Sequence, residues 1–464
     1  MVVRRGQTRS GRNGSSATRL VCGQGAYSQF RRVIRRSPDC EWRRHRLLRR
    51  FHTMPTPCDV LIVGGGIGGS SLACALARDG LAVVVLEASR QFEDRVRGES
   101  MLPWGVAEAQ ELGVERTLLD AGARVTPTWC HYDAMVPIAV TLEHRIPAGM
   151  MVPNVNGSMN LRHPEACAAL SDAAADAGTC VIRGVADVVV TPGTNPFVRA
   201  TGPDGDLLEF APRLVVGADG RNSTVRRQAG IELERYDATC MIAGLIVDGL
   251  DGIPQDHDFI ASTDDLFMAS FHQHNGQLRV YLCPGMKQKN RFAGRNGQAE
   301  FLRSANFDCL PFGEQISHAT PIGPLAAYPG DDSWTDRPYA PGVVLIGDAA
   351  GYNNPIIGEG LSIAMRDARQ VRDALRAGGR GMEIFGDYAS ERFERMRRLR
   401  AGAIFFAATF ADDCDNRPAR RAKFFEMMQN EPLMMALLGG TMGGPENAPP
   451  EAFDGRLIEM IRAA

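Results

Sequence analysis

The sequence predicts an α/β fold: a Rossmann-like dinucleotide-binding domain built from discontinuous segments, an inserted β-rich substrate domain, and a helical C-terminus. Three observations carry this expectation. Residues 58–87 form a strand, a glycine turn, a helix and a second strand. Two later apolar runs also end in glycine-bearing turns, at 217–220 and 347–360. Between these segments lie short alternating runs broken by Pro and Gly, the pattern of β structure.

The first unit is the most informative. Residues 60–63 are an apolar run that reads as a strand buried on both faces. Gly64, Gly66 and Gly69 follow with G-x-G-x-x-G spacing, then a helical pattern at Leu72, Ala73, Leu76 and Ala77. The second apolar run, 82–86, ends in Glu87. That complete β-α-β context makes a weak glycine motif specific. Gly64 allows the tight turn, Gly66 lets backbone approach a pyrophosphate, and Gly69 lets helix pack on strand. The helix start offers unpaired N–H groups to phosphate, and Glu87 can accept from a ribose hydroxyl.

From there the elements follow in order. Residues 91–122 read as a loop and then a helix, 126–160 as β structure, and 161–178 as a helix. Strands follow across 180–217, with a turn at 203–205, and residues 239–285 are again β-rich. Asn275-Gly276 between alternating runs is a strong hairpin signal. Residues 343–349 form a buried strand leading into a helix, and a charged helix begins near 381 before a Pro/Gly-rich tail. The domain expectation is therefore 54–125, 156–235 and 320–380 for the dinucleotide domain, 126–155 and 236–319 for the substrate domain, and 381–464 for the C-terminal helical region. A ligand site belongs at the seam.

Composition sets bounds. The chain has 464 residues, 44% hydrophobic and 23% charged, as for a globular protein. No apolar run reaches the length of a membrane span. Eleven scattered cysteines without C-x-x-C or metal-ligand spacing suggest a reducing, cytoplasmic compartment and no metal. Residues 1–53 carry fourteen Arg against Asp39 and Glu41. That head could be a transit segment, a nucleic-acid-binding arm or a non-native leader ahead of Met54. The expectation is a disordered or non-native leader. The acidic remainder points to no nucleic-acid partner.

The three glycine-bearing elements, 64–70, 217–230 and 347–364, together resemble the fingerprints of the FAD-dependent aromatic hydroxylases, the para-hydroxybenzoate hydroxylase-like flavoprotein monooxygenases. The second resembles the family's D-G motif through Asp219, Gly220, Ser223 and Arg226. The third resembles its G-D motif through Gly347 and Asp348. The resemblance implies FAD as cofactor and NAD(P)H as a transiently docking co-substrate. It implies that Asp348 bonds the ribityl chain, and that Asp219 and Gly220 also line the cofactor site. Pro355 and Gly358 would shape the loop beside the flavin ring, with Gly360 and Leu361 opening a helix toward it. Arg97 resembles a loop arginine near the FAD phosphates or ribose, and Arg162 the arginine before a helix that touches FAD.

His272 and His274, two apart on an expected strand, would share one face. A metal pair has no third ligand nearby, so these histidines, or Phe271 on the opposite face, are candidates for lining a substrate pocket. The implied activity is hydroxylation or epoxidation of a small organic substrate, aromatic or polyketide-like, through a flavin C4a-hydroperoxide. A flavin halogenase would share the loop VRGESMLP, but the chain lacks a W-x-W-x-I-P motif and has no Lys before Lys287. An FAD-dependent reductase of isoprenoid double bonds and a non-catalytic FAD-binding protein are the alternatives.

Overall fold

A computed structural model describes residues 54–379 and 381–464; the expected leader lies outside the described residues. β1 (Thr56–Val63) turns through the glycines into α1 (Ile67–Arg78) and β2 (Val83–Glu87). Next come α2 (Pro103–Glu111), β3 (Thr128–Asp133), α3 (His163–Asp176) and β4 (Cys180–Arg183). β5 (Ala186–Thr191), β6 (Phe197–Thr201) and β7 (Leu207–Gly217) follow. A second run of strands holds β8 (Met241–Asp248), β9 (His257–Ser262), β10 (Phe267–His272), β11 (Leu278–Cys283) and β12 (Ala326–Pro329). After β13 (Val343–Leu345) the chain is helical: α4 (Gly360–Ala377), α5 (Gly386–Phe410), α6 (Arg417–Asn430), α7 (Pro432–Gly443) and α8 (Arg456–Arg462).

The first sheet is parallel through β13, β7, β1, β2 and β4. Its apolar strands follow from burial on both faces. Val60 and Ile62 of β1 enter a core with α1, α3 and α4, whereas Leu61 and Val63 face β5, β6 and β7. The strand order reverses beside β1: β2 and β4 lie to one side, β7 and β13 to the other. In open α/β sheets that reversal opens a crevice at the carboxyl ends of the strands.

The second sheet runs β12, β8, β11, β10, β9, β3. β10 and β11 form the expected hairpin, with Asn275 and Gly276 at φ 60 and 75, the left-handed backbone that Asn-Gly favours. Strand pairing carries this sheet to Pro329, past the expected boundary at 319. A short helix, Ile138–Glu143, interrupts the 126–160 region, which the sequence pattern reads as β structure.

The expected helical C-terminus continues through the Pro/Gly-rich tail. Pro418 and Pro432 stand in the first turns of α6 and α7, and Gly444 (φ 105) ends α7. Both prolines mark helix starts, where the missing N–H costs nothing.

Candidate active site

The glycine turn lies at the carboxyl end of β1. A Cβ on Gly64 would stand 2.3 Å from the Ala218 carbonyl oxygen, and one on Gly69 2.0 Å from that of Gly64. Gly64 also sits at φ 105, which side-chain-bearing residues rarely adopt. A Cβ on Gly66 would meet nothing within 4 Å. Gly64 and Gly69 therefore close the turn, while Gly66 opens its outer side at the start of α1. Glu87 accepts from the Gly65 N–H at 2.6 Å and the Ser89 N–H at 2.7 Å. Its carboxylate ties the turn to the end of β2.

The D-G and G-D elements follow neighbouring strands, β7 and β13. Asp219 accepts from the N–H groups of Thr224 and Val225, at 2.6 and 3.1 Å, and from the Ser223 hydroxyl at 2.5 Å. It caps the helix Thr224–Gln228, so its carboxylate is engaged within its own segment. Gly220 is at φ 74, and a Cβ there would meet nothing within 4 Å. Arg226, only 6% exposed, donates to the Ala349 carbonyl at 3.2 Å and joins the two elements. Asp348 is partly exposed and accepts from Arg221 Nε at 3.4 Å. Arg221 also lies 4.2 Å over the Tyr352 ring.

What holds the G-D loop is a set of residues that sequence reasoning missed. Arg392 of α5 donates to the carbonyls of Ala350, Gly351 and Gly347 at 2.9, 2.8 and 3.2 Å. It also bonds Asp367 at 3.0 Å, and Asp367 accepts from the Gly347 N–H at 2.8 Å and from Arg395 at 2.7 Å. Burial alone would push the Asp367 carboxyl up, but the two guanidinium groups hold it below its ordinary range. The segment YASERFERMRRLR reads as a solvated charged helix. Its one sequence signal is that Tyr388, Arg392, Arg395 and Leu399 recur at helical spacing, and all four are buried.

The loop beyond is turned by Pro355. Asn354 accepts from the Ile356 N–H at 3.1 Å and donates to the Gly330 carbonyl at 2.8 Å, while Asn353 donates to Asp332 at 2.7 Å. Gly358 takes the left-handed φ of 72. Gly360 then opens α4, with Leu361 in its first turn. Ala364 of α4 lies against Gly68 of α1, 3.4 Å from the place of a Cβ. The starts of the two helices are thus neighbours.

The arginines separate. Arg97 is exposed, in a loop where Val96 is buried at the unusual φ of 55. Asp94 accepts from the Val96 N–H at 2.8 Å and from Arg279 at 2.6 Å, and the Tyr281 hydroxyl donates to Glu99. This loop is therefore clamped onto β11. Arg162 stands just before α3 and reaches across to Gln277 of the hairpin, at 2.9 Å.

β10 ends at His272. His274 lies in the exposed turn, so the two histidines do not share a strand face, in contrast to the expectation. His272 is buried against Phe259 and Asp258. Phe271 instead joins Trp129, Phe267, Tyr281 and Ile242 in one apolar cluster with Leu102, Trp104, Ile356 and Ile357. The second sheet thus meets the Pro355 loop through an apolar, aromatic layer.

The residues fit FAD. An open backbone at Gly66, two adjacent helix starts, and the partly exposed Asp348 at a strand end suit a phosphate, a ring and a polyhydroxyl chain. Among the described residues no group of His, Cys, Asp and Glu could hold a metal ion, and no helix is long and apolar enough to cross a membrane.

Comparison with known proteins agrees with this geometry. The family model described as an FAD binding domain matches residues 57–402. Squalene monooxygenase SE2 of Panax ginseng is 28% identical over 328 residues, covering 68% of this chain and 58% of that protein. The chain thus spans under three fifths of that relative. Ubiquinone hydroxylase UbiL of Rhodospirillum rubrum is 26% identical over 448 residues, covering 86% and 92% of the two chains. The structure of P. aeruginosa PqsL in complex with 2-aminobenzoylacetate superposes with a TM-score of 0.64 at 22% identity, covering 78% of this chain and 98% of that one.

Proposed function

The chain belongs to the FAD binding domain family, and from that premise we propose that it is an FAD-dependent monooxygenase. It would use NAD(P)H and O₂ to hydroxylate or epoxidise a small organic substrate with an apolar body, aromatic or polyketide-like. Bound FAD would supply the redox chemistry and the activation of oxygen. The protein's own residues bind it, orient the substrate and keep water out.

Gly64, Gly66, Gly69 and Glu87 would hold the adenosine and phosphates, and Arg97 and Arg162 would reach the cofactor from separate elements. Asp348, supported by Arg221 and Gly347, would accept from the polyhydroxyl chain, and Asp219 and Gly220 would shape the wall beside it. Pro355 and Gly358 would set the loop at the flavin ring, where Gly360 and Leu361 present the positive end of α4.

The observation that carries the reading is the apolar cluster in which Ile356 and Ile357 meet Trp129, Phe271 and Tyr281. Oxygen transfer needs surroundings that exclude water, and this packed apolar layer lies where the Pro355 loop meets the second sheet. The names of two relatives, a squalene monooxygenase and a ubiquinone hydroxylase, concern lipophilic molecules, which suits such surroundings. The described cysteines are all free, which supports a reducing, cytoplasmic location.

The test is a screen of NAD(P)H consumption and oxygen uptake against aromatic and polyketide-like compounds, with product masses. A product heavier by one oxygen atom, with matching oxygen uptake, supports the reading. Substrate reduction without oxygen uptake points to a double-bond reductase. Cofactor oxidation indifferent to every compound points to a non-catalytic flavoprotein.

A further inference from the structure

Glu359 lies inside the loop that follows Pro355, between the left-handed Gly358 and Gly360, which opens α4. It is 1% exposed, and neither carboxylate oxygen has a partner in hydrogen-bonding geometry. A carboxylate just before a helix ordinarily accepts from the first-turn N–H groups. Glu359 makes no such bond to those N–H groups, and the first-turn group beside it is the Ser362 hydroxyl.

It shares this fate with its neighbours. The hydroxyls of Ser362 and Ser100 and the indole N–H of Trp104 are also buried without partners. Segments 100–105 and 358–362 face each other closely. A Cβ on Gly105 would stand 2.5 Å from Ser362 Oγ, and one on Gly358 3.9 Å from Leu102 Cδ1. The result is a buried polar pit walled by Leu102, Ile357 and Ile363.

The charged groups around the pit offer Glu359 no cation. Glu446, from the turn after α7, adds negative charge. Arg366 and Arg395 lie about the Trp104 ring, 6.0 and 5.8 Å from its centre. Arg366 is committed to Glu108, Glu391 and Glu446, and Arg395 to Asp367 and Glu391. An ionised carboxylate left unpaired in such a place takes up a proton instead. Burial drives its pKa well above the ordinary range; the Ser362 hydroxyl draws it down in part and Glu446 adds to the rise.

We propose that Glu359 is a positioning residue that works as a neutral carboxylic acid buried in this pit, keeping negative charge away from the start of α4. The proposal rests on the reading of 355–361 as the loop beside the flavin ring. The positive end of α4 would favour negative charge on a bound ring, and an ionised Glu359 at that end would oppose it. The same side chain as a neutral acid supports the loop without that repulsion.

The experiment compares wild type with Glu359→Gln, which keeps shape and neutrality, and Glu359→Met, which keeps neither donor nor acceptor of strength. Apo-protein is unfolded by denaturant across about pH 5 to about pH 8. The sign follows from linkage. A carboxyl with a raised folded pKa binds more protons folded than unfolded, so stability falls as pH rises above the unfolded value of about 4.3. The wild-type unfolding constant should therefore rise about tenfold per pH unit relative to Glu359→Gln. Infrared spectra of the apo-protein at neutral pH should show a protonated-carboxyl band that both variants lack. If the Gln variant fails to fold, the band and the Met variant still decide. Parallel pH profiles for wild type and Gln, with no band lost, would overturn the proposal. FAD titration is the separate arm. Glu359→Gln should hold FAD within about threefold of wild type, and a larger loss means that ionised Glu359 is needed and sinks the proposal. A wild type that takes up no FAD refutes the flavin reading instead, while the apo measurements still decide Glu359.

Discussion

The turn at 64–69 and the loop at 347–351 stand at the ends of two strands of one sheet, and they are shaped by opposite means. The first is defined by side chains that are missing. Gly64 and Gly69 let backbone meet backbone, and the only charged group involved, Glu87, binds the turn from 22 residues away. The second is defined by a buried side chain. Arg392 gathers the carbonyls of Gly347, Ala350 and Gly351 from 41 to 45 residues downstream, and Asp367 and Arg395 complete the set. A loop made of glycines tolerates change only where a side chain has room. A loop made by a buried ion network tolerates no loss of a partner.

Breaking the network has the largest expected effect. Arg392→Met removes the donor to three carbonyls and leaves Asp367 buried with Arg395 as its remaining cation. Removing one partner of a buried pair costs about 3–5 kcal/mol. The apo-protein should lose that much stability in denaturant unfolding and should bind FAD more weakly. Unchanged stability would show that the loop holds its shape without α5.

Gly66→Val comes next, and it separates the two loops most cleanly. A Cβ at Gly66 meets no protein atom within 4 Å, so the apo fold should survive with its unfolding midpoint near wild type. FAD affinity should fall by at least about a hundredfold, or about 2.7 kcal/mol, because the side chain takes the space that the pyrophosphate would fill. Gly69→Ala is the control: its Cβ would lie 2.0 Å from the Gly64 carbonyl oxygen, so it should damage folding itself. Full FAD occupancy in Gly66→Val would remove the turn from the cofactor site.

This contrast also explains what was legible in the sequence. The glycine turn, the first sheet and the Asn275-Gly276 hairpin are local patterns, and spacing alone reads them. The second sheet was expected, but not its extension to Pro329, because β12 is a short strand whose pairing with β8 is a tertiary choice. A helical C-terminus was expected, but not its division into α6, α7 and α8, because Pro418 and Pro432 open new helices within it. Arg392 was hidden because a buried arginine and a solvated one look the same in a charged helix. His272 and His274 part company because the strand ends at His272, two residues before the point the Asn275-Gly276 signal implies. Positions defined by absence of a side chain announce themselves; positions defined by a distant partner do not.

A smaller effect is expected at Asp348. It is partly exposed, and the G-D loop is held by Arg392 and Asp367 without it, so Asp348→Ala should leave apo stability nearly intact. Loss of an acceptor for the cofactor's hydroxyls costs roughly 1–3 kcal/mol, about one to two decades in affinity. FAD dissociation measured beside apo unfolding decides between a binding role and a structural one. Equal affinity would place the carboxylate outside the site, with Arg221 as its only business.

The smallest effect on cofactor binding, and the most specific readout, belongs to Pro355. Asn353 and Asn354 tie the preceding residues to Asp332 and Gly330, so the loop stays anchored when the proline is lost. Proline fixes φ and limits the unfolded chain, and Pro355→Gly should cost only about 0.4–1 kcal/mol. Ile356 and Ile357 sit in the apolar layer with Trp129, Phe271 and Tyr281, and a looser backbone beneath them admits water to that layer. If oxygen transfer takes place there, the variant should bind and reduce FAD normally yet divert more reducing equivalents to H₂O₂. Product, H₂O₂ and NAD(P)H consumed are measured together once a substrate is in hand. An unchanged ratio of product to NAD(P)H, with FAD binding intact, would mean that this loop does not shape the compartment. The contrast would then sharpen differently: the 347–351 network would hold the cofactor alone, and the substrate would meet it elsewhere along the second sheet.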